Sequence, residues 1–202
     1  ADTVILMAIY PSLREEKDKY PLNYFLELIH LLHTEYPEAD FHFTGSDREH
    51  AYVEEIVKHL QQKNISSQNH AGHFSLEKFC RELTTCQIFI SCDSGPLHLA
   101  AYMGIPTLAI WGPTQYKHFG YDKTSHLVNC SLELPCSPCF IHPYSKPAAA
   151  CNGNVTCLQS LTPLMLFKQA TTLLDEKSTT RRVRLPIGLK LEGSLSLEGQ
   201  LT

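Results

Sequence analysis

The chain has 202 residues, 43% of them hydrophobic and 19% charged, enough apolar material for one sizeable core and too mixed for a disordered polymer or a coiled coil. Its 17 Lys and Arg stand against 21 Asp and Glu, a net charge of -4 with 11 His in reserve, which disfavours a basic surface for nucleic acid or anionic lipid. No apolar run approaches the roughly 20 residues that span a bilayer, and Ala1 to Tyr10 has neither a basic stretch nor a cleavage site, so a soluble chain or a soluble piece of one is expected.

Val4 to Ile9 is a continuous apolar run closed by Tyr10-Pro11, as suits a strand buried on both faces of a parallel sheet. After a charged stretch, Phe25, Leu28, Ile29 and Leu32 line one face of an amphipathic helix that ends near Tyr36-Pro37. Phe41-His42-Phe43 predicts a short strand ended by Gly45, and Val53, Ile56, Val57 and Leu60 repeat the helical spacing to about Gln62. Asn64 to His73 is polar connection with a short strand near Ile65, and Ser75 caps a helix running to about Thr85, with Glu77 in its first turn. Gln87 to Ser91 is a strand that delivers Cys92-Asp93-Ser94-Gly95 as a turn; Pro96 then opens an apolar helix that runs through Met103 to a stop at Gly104. Thr107 to Trp111 is the next strand, followed by a sharp turn at Gly112-Pro113-Thr114.

Strands alternating with helices in this way predict an α/β domain: a Rossmann-like parallel sheet with flanking helices, over residues 1–175. Within it, 130–160 reads as a Pro- and Cys-rich loop before a last helix that begins at Thr162-Pro163 and ends near Asp175. Residues 176–202 carry few hydrophobics and are expected to form a mobile tail.

Ligands of such sheets gather at the C-terminal strand ends, and three polar clusters fall there. Asp93-Ser94-Gly95-Pro96-Leu97-His98 sets a carboxylate, a hydroxyl, a bare backbone and an imidazole around one helix N-terminus, a place that attracts phosphate through exposed N–H groups and the helix dipole. Asp93 repels phosphate and suits orienting amides or a sugar hydroxyl; a capped helix with a core histidine is the plain alternative for the whole turn. Ser12 to Lys17 follows the first strand and Gly45 to Glu49 the second, offering cations for a diphosphate and a carboxylate for a ribose diol, with two solvated loops as the alternative.

Of the eight Cys, 80, 86 and 92 lie in apolar segments and read as small buried hydrophobes. Cys136, Cys139, Cys151 and Cys157 supply four thiolates, enough for a tetrahedral zinc or iron site; Cys130 and His142 compete as ligands, and reduced or disulfide-paired structural cysteines are the alternative.

Asp93-Ser94-Gly95-Pro96-Leu97-His98-Leu99-Ala100-Ala101, then Gly104-Ile105-Pro106 and Trp111-Gly112-Pro113-Thr114, resemble the signature of the ADP-heptose:lipopolysaccharide heptosyltransferases, glycosyltransferase family 9. The likeness runs from Val4 to about Leu174 and includes Cys136-Ser137-Pro138-Cys139-Phe140. It implies the C-terminal, donor-binding half of a two-domain GT-B glycosyltransferase. By position, Ser12 and Lys17 resemble the residues that contact the donor diphosphate and sugar; the family's Lys-x-Trp-Pro is one residue longer here, in Lys17-Asp18-Lys19-Tyr20-Pro21, so Lys19 competes for that role. Glu49 resembles the carboxylate that grips the ribose, Phe74 an apolar residue lining the base pocket, and Asp93, Ser94, Gly95 and His98 the anion-binding turn.

The implied reaction is inverting transfer of a heptose or related sugar from a nucleotide diphosphate sugar, foremost ADP-heptose, to a lipopolysaccharide or lipooligosaccharide core. No cofactor is required for transfer if Lys17 and the amides near Gly95 stabilise the leaving diphosphate. The family's general base is an Asp of the N-terminal domain that nothing here matches, so this chain alone is expected to bind donor and transfer poorly. The resemblance implies a bacterial cytoplasmic enzyme, peripheral to the inner membrane through its acceptor, with no nucleic-acid partner. A non-catalytic nucleotide- or metal-binding module on the same fold is the alternative of a different class, and a nucleotide-sugar epimerase a third.

Overall fold

The computed structural model describes residues 3–8, 20–114, 116–119, 121, 124–139 and 155–175. Ser12, Lys17, Lys19 and Cys151, and the expected tail 176–202, lie outside the described residues.

Among the described residues, six parallel strands form one sheet: β1 (Val4–Ala8), β2 (Asp40–Thr44), β3 (Ser67–Asn69), β4 (Ile88–Cys92), β5 (Thr107–Ile110) and β6 (Leu127–Cys130), in the spatial order β3-β2-β1-β4-β5-β6. The helices are α1 (Leu22–Glu35), α2 (His50–Gln61), α3 (Leu76–Thr85), α4 (Gly95–Met103), α5 (Thr156–Gln159) and α6 (Pro163–Asp175). Alternate residues of β1 explain why its whole run is apolar. Ile5 and Met7 pack with Phe25, Leu28, Ile29 and Leu32 of α1 and with α2 and α6, while Leu6 and Ala8 pack on the other face with Phe79 and Leu83 of α3 and Ala100 and Met103 of α4. A strand covered on both sides needs side chains of this kind at every position, and each large one fully buried contributes roughly 1.5–3 kcal/mol.

Helix ends follow the expected chemistry. The Ser75 hydroxyl accepts from the Lys78 amide at 3.1 Å, and Gly104, at φ 77°, turns the chain out of α4 while its N–H reaches the Ala100 and Ala101 carbonyls. Two strands depart from the sequence reading. The short strand near Ile65 lies two residues further on, at Ser67–Asn69: Ile65 is buried in the core instead, and the strand that pairs is polar because it closes the sheet edge. β6 was not foreseen, since Leu127–Cys130 carries a polar Asn129 at its centre; that amide is paired, accepting from the Trp111 indole N–H at 2.9 Å. The 130–160 loop likewise ends in the short helix α5, which puts Cys157 and Leu158 into the core. Among the described residues no helix is long and apolar enough to cross a membrane.

Candidate functional site

The strand order places a switch point beside β1. From β1 the chain crosses to β2 on one side, and β4 and β5 build outward on the other, so the turns after β2 and β4 diverge around the end of β1. Ala8 is in register with Thr44 and with Ser91, which brings the ends of the three strands side by side. Two of the three clusters expected from sequence, Gly45 to Glu49 and Asp93 to His98, thus flank the exit of β1; the third, with Ser12, Lys17 and Lys19, follows β1 in the chain but lies outside the described residues. Tyr20 shows where that connection returns. It is buried, its hydroxyl donates to the Leu161 carbonyl at 2.7 Å, and its backbone hydrogen-bonds the Cys92 thiol, next to Asp93. Burial pushes that thiol up to about 12, which makes Cys92 a packing group and no nucleophile.

After β4 the chain enters α4 through Ser94, whose backbone is extended. Its hydroxyl does not cap the helix; it lies 3.0 Å from the hydroxyl of the fully buried Ser91. The N-terminus of α4 is therefore not closed by its own serine, and Pro96 brings no N–H of its own. Among the described residues, a methyl group added at Gly95 would meet nothing within 4 Å, so they leave this side of the turn open to an approaching group. Asp93 and His98 stand at its rim, with side chains 22% and 36% exposed and Asp93 Oδ1 3.2 Å from His98 Nε2. The other ring nitrogen, Nδ1, is 2.9 Å from the Tyr121 hydroxyl, and Phe119 lies against the imidazole with ring centroids 4.7 Å apart. Burial raises the Tyr121 pKa, helped by the charge of Asp93, which keeps the phenol protonated. The sequence reading did not single out Tyr121; the signal available was the density of aromatics after β5, with Trp111, Tyr116, Phe119 and Tyr121 gathered in one cluster.

The turn after β2 is built differently. Residues Asp47–Glu49 form one turn of 3-10 helix, and Glu49 Oε2 accepts from both the Ser46 amide (2.5 Å) and the Ser46 hydroxyl (2.8 Å). Glu49 is only 6% exposed, a carboxylate fixed by its own loop. The 70–73 turn braces it: the Gly72 amide donates to the Gly45 carbonyl, and His50 Nδ1 meets the Ala71 carbonyl at 2.9 Å. Phe74 follows that turn, half-buried, with one face stacked on His70 at 4.6 Å between centroids and the Lys78 ammonium 5.0 Å from its ring centre. Behind it, His70 Nε2 lies 3.3 Å from His42 Nδ1, and His42 Nε2 lies 2.8 Å from Asp40 Oδ2. Burial, with the charges of His42, Lys78 and His73, lowers the His70 pKa to about 4, so the ring stacked on Phe74 is neutral near pH 7. Burial works against the Asp40 charge, and hydrogen bonds from His42, Ser66 and Gln68 outweigh it, holding that carboxyl below its ordinary value.

The cysteines are dispersed in role. Cys136 and Cys139 are half-buried, and their segment is fastened to the turn after β5 by the Cys139 amide on the Pro113 carbonyl (3.0 Å) and the Ser137 hydroxyl on the Gly112 carbonyl (3.2 Å). Cys157 belongs to the apolar core. Among the described residues no three His, Cys, Asp or Glu side chains gather as a metal would require; with Cys151 outside them, the proposed quartet is not assembled from described groups.

A family model, Glycosyltransferase family 9 (heptosyltransferase), matches residues 4–149. The chain is 29% identical over 132 residues to lipooligosaccharide heptosyltransferase 2 of Campylobacter jejuni serotype O:2, an alignment covering 65% of this chain and 40% of that protein. It is 31% identical over 109 residues to lipopolysaccharide heptosyltransferase 1 of Campylobacter coli, covering 52% and 31%. In fold it is similar to the Escherichia coli ADP-heptose lipopolysaccharide heptosyltransferase II, with TM-score 0.67 at 21% identity over 87% of this chain and 47% of that one. A glycosyl transferase family 9 protein from Veillonella parvula gives TM-score 0.64, again at 21% identity and with the same 87% and 47% coverage. The chain thus spans less than half the length of the relatives it matches.

Proposed function

Because the chain belongs to glycosyltransferase family 9, the heptosyltransferase family, we propose that the C-terminal end of its sheet holds the nucleotide-sugar donor of a sugar transfer onto a lipooligosaccharide or lipopolysaccharide core. The observation that carries this reading is the pairing of a fixed, buried carboxylate at Glu49 with an open helix N-terminus at Gly95, on the two turns that flank the end of β1. Glu49 takes the ribose diol, Phe74 the base, and Ser94, Gly95 and His98 the diphosphate, with Asp93 orienting His98. Ser12, Lys17 and Lys19 are assigned to the diphosphate and sugar, as cations and a hydroxyl on the segment between β1 and Tyr20.

In the reaction, the bond between the anomeric carbon and the diphosphate oxygen breaks, and the leaving diphosphate keeps the electron pair. The acceptor hydroxyl oxygen bonds the opposite face of that carbon, so configuration inverts, and its proton passes to a general base. Negative charge grows on the diphosphate, where the positive end of α4 and the lysines stabilise it without reorganising, so transfer in this reading needs no metal. The base is assigned to a second, acceptor-side domain, and this chain alone binds donor and transfers poorly. ADP-heptose, which the Escherichia coli relative's name carries, is the donor assigned here, and the cytoplasmic face of the inner membrane the site of action.

Calorimetric titration of this chain with ADP, UDP, GDP and CDP tests the reading. Saturable binding that favours ADP supports it; the absence of binding to any of the four contradicts it.

A further inference from the structure

We infer that Tyr121, on the segment between β5 and β6, is a positioning residue that sets the ring orientation and proton location of His98 at the mouth of the α4 turn. The argument begins at the sheet. Asn129 sits within β6, opposite Ala109 of β5, and its side-chain oxygen accepts from the Trp111 indole N–H at 2.9 Å. An indole nitrogen only donates, so the orientation of that amide is settled and its NH2 is turned to the Tyr121 carbonyl, 3.1 Å away. Tyr121 is thereby tied to the sheet through its backbone, and its hydroxyl reaches His98 Nδ1 at 2.9 Å. On the far side, His98 Nε2 faces Asp93 Oδ1 at 3.2 Å. The phenol, kept protonated by burial, donates to Nδ1 and so leaves the ring proton on Nε2, the side on which the Asp93 carboxylate also favours it. The chain Trp111, Asn129, Tyr121, His98 therefore runs from the sheet to the rim of the open turn and sets an Nε2–H there, beside Asp93 but not bonded to it, where a lone pair would repel an anion.

This rests on the reading of the turn as a diphosphate site, although the proton location can be measured without any ligand. Tyr121→Phe keeps the ring that packs against His98, Trp111 and Phe119 and removes only the hydroxyl. Tyr116→Phe is its control: it removes a phenol from the same aromatic cluster, one that packs on Trp111 while His98 bonds the Tyr121 hydroxyl. Two quantities are measured, the imidazole nitrogen resonances of His98 in 15N-labelled, ligand-free protein and the ADP affinity by calorimetry. In Tyr121→Phe the His98 resonances are expected to move away from the Nε2-protonated pattern and ADP to bind about five-fold more weakly, the loss of one hydrogen bond, with both unchanged in Tyr116→Phe. Unchanged His98 resonances in Tyr121→Phe overturn the inference, as does a Tyr116→Phe variant that moves them equally. If the resonances shift but ADP affinity does not, the assigned purpose is wrong and the inference fails with it. Should the unmodified chain bind no nucleoside diphosphate, the proposed function falls, and the resonances alone decide the role of Tyr121.

Discussion

The turn after β2 is closed by its own side chains, whereas the turn after β4 is held from outside. Glu49 returns through one oxygen to the amide and hydroxyl of Ser46, three residues back, and is largely buried. Ser94 leaves its helix uncapped, and the groups at that rim, Asp93 and His98, take their order from Tyr121, more than twenty residues further along the chain. A self-closed turn presents a rigid acceptor, suited to a neutral diol; an open one presents unsatisfied donors, suited to an anion. Disturbing the first should cost stability, and disturbing the second should cost binding.

Gly72→Ala should give the largest effect. Its backbone is at φ +78°, and the added methyl would stand 2.9 Å from the Asp47 backbone, inside the turn that holds Glu49. A loss of roughly 2–4 kcal/mol in denaturant unfolding is expected. Glu49→Ala removes both internal hydrogen bonds and leaves the Ser46 amide without its partner, for a loss of about 1–3 kcal/mol together with weaker nucleotide binding. Gly95→Ala reverses the pattern. With nothing near the new methyl among the described residues, unfolding stability should stay within about 0.5 kcal/mol, while ADP affinity falls about ten-fold because the methyl occupies the approach to α4. Equal losses in both properties for Gly95→Ala would erase the contrast between the two turns.

Smaller effects lie beside Phe74. The folded pKa of His70 is near 4, below its ordinary 6.5, so the unfolded chain binds a proton that the folded chain refuses between those values. That group's contribution to stability is present above pH 6.5 and is lost as pH falls towards 4; Asp40, held below its ordinary value, keeps its contribution across the same window and loses it only at lower pH. His70→Phe, which keeps an aromatic ring stacked on Phe74, should flatten the slope of stability against pH from 6.5 to 4 in urea titrations. Least of all, Glu77→Gln breaks an exposed pair with Arg81 on α3 and should cost about 0.3–0.5 kcal/mol.

How much of this was legible in the sequence depended on range. The both-faces-buried run expected at Val4 to Ile9 and described as strand over Val4–Ala8, the Ser75 cap, the Gly104 stop and the turn at Asp93 are local signals that stand where spacing predicts. β6 and the polar edge strand β3 were hidden because their pairing comes from neighbours and not from their own residues: Asn129 is satisfied by Trp111, and among the described residues Ser67–Asn69 pairs on one side alone. Within the candidate site, Glu49 and Asp93 to His98 were singled out by type and position, and the structure sets both on turns beside the end of β1. The closed geometry of Glu49, the stack of His70 on Phe74 and the hold of Tyr121 on His98 were not, because each depends on distances between segments that no spacing encodes.

The central claim is that one ligand bridges the turns after β2 and β4. Amide chemical-shift mapping of the 15N-labelled chain during titration with ADP tests it most directly. The account predicts that Ser46, Glu49 and Phe74 shift together with Ser94, Gly95 and His98 along one saturation curve. Shifts confined to one of the two turns, or centred on Cys136 and Cys139, would contradict it.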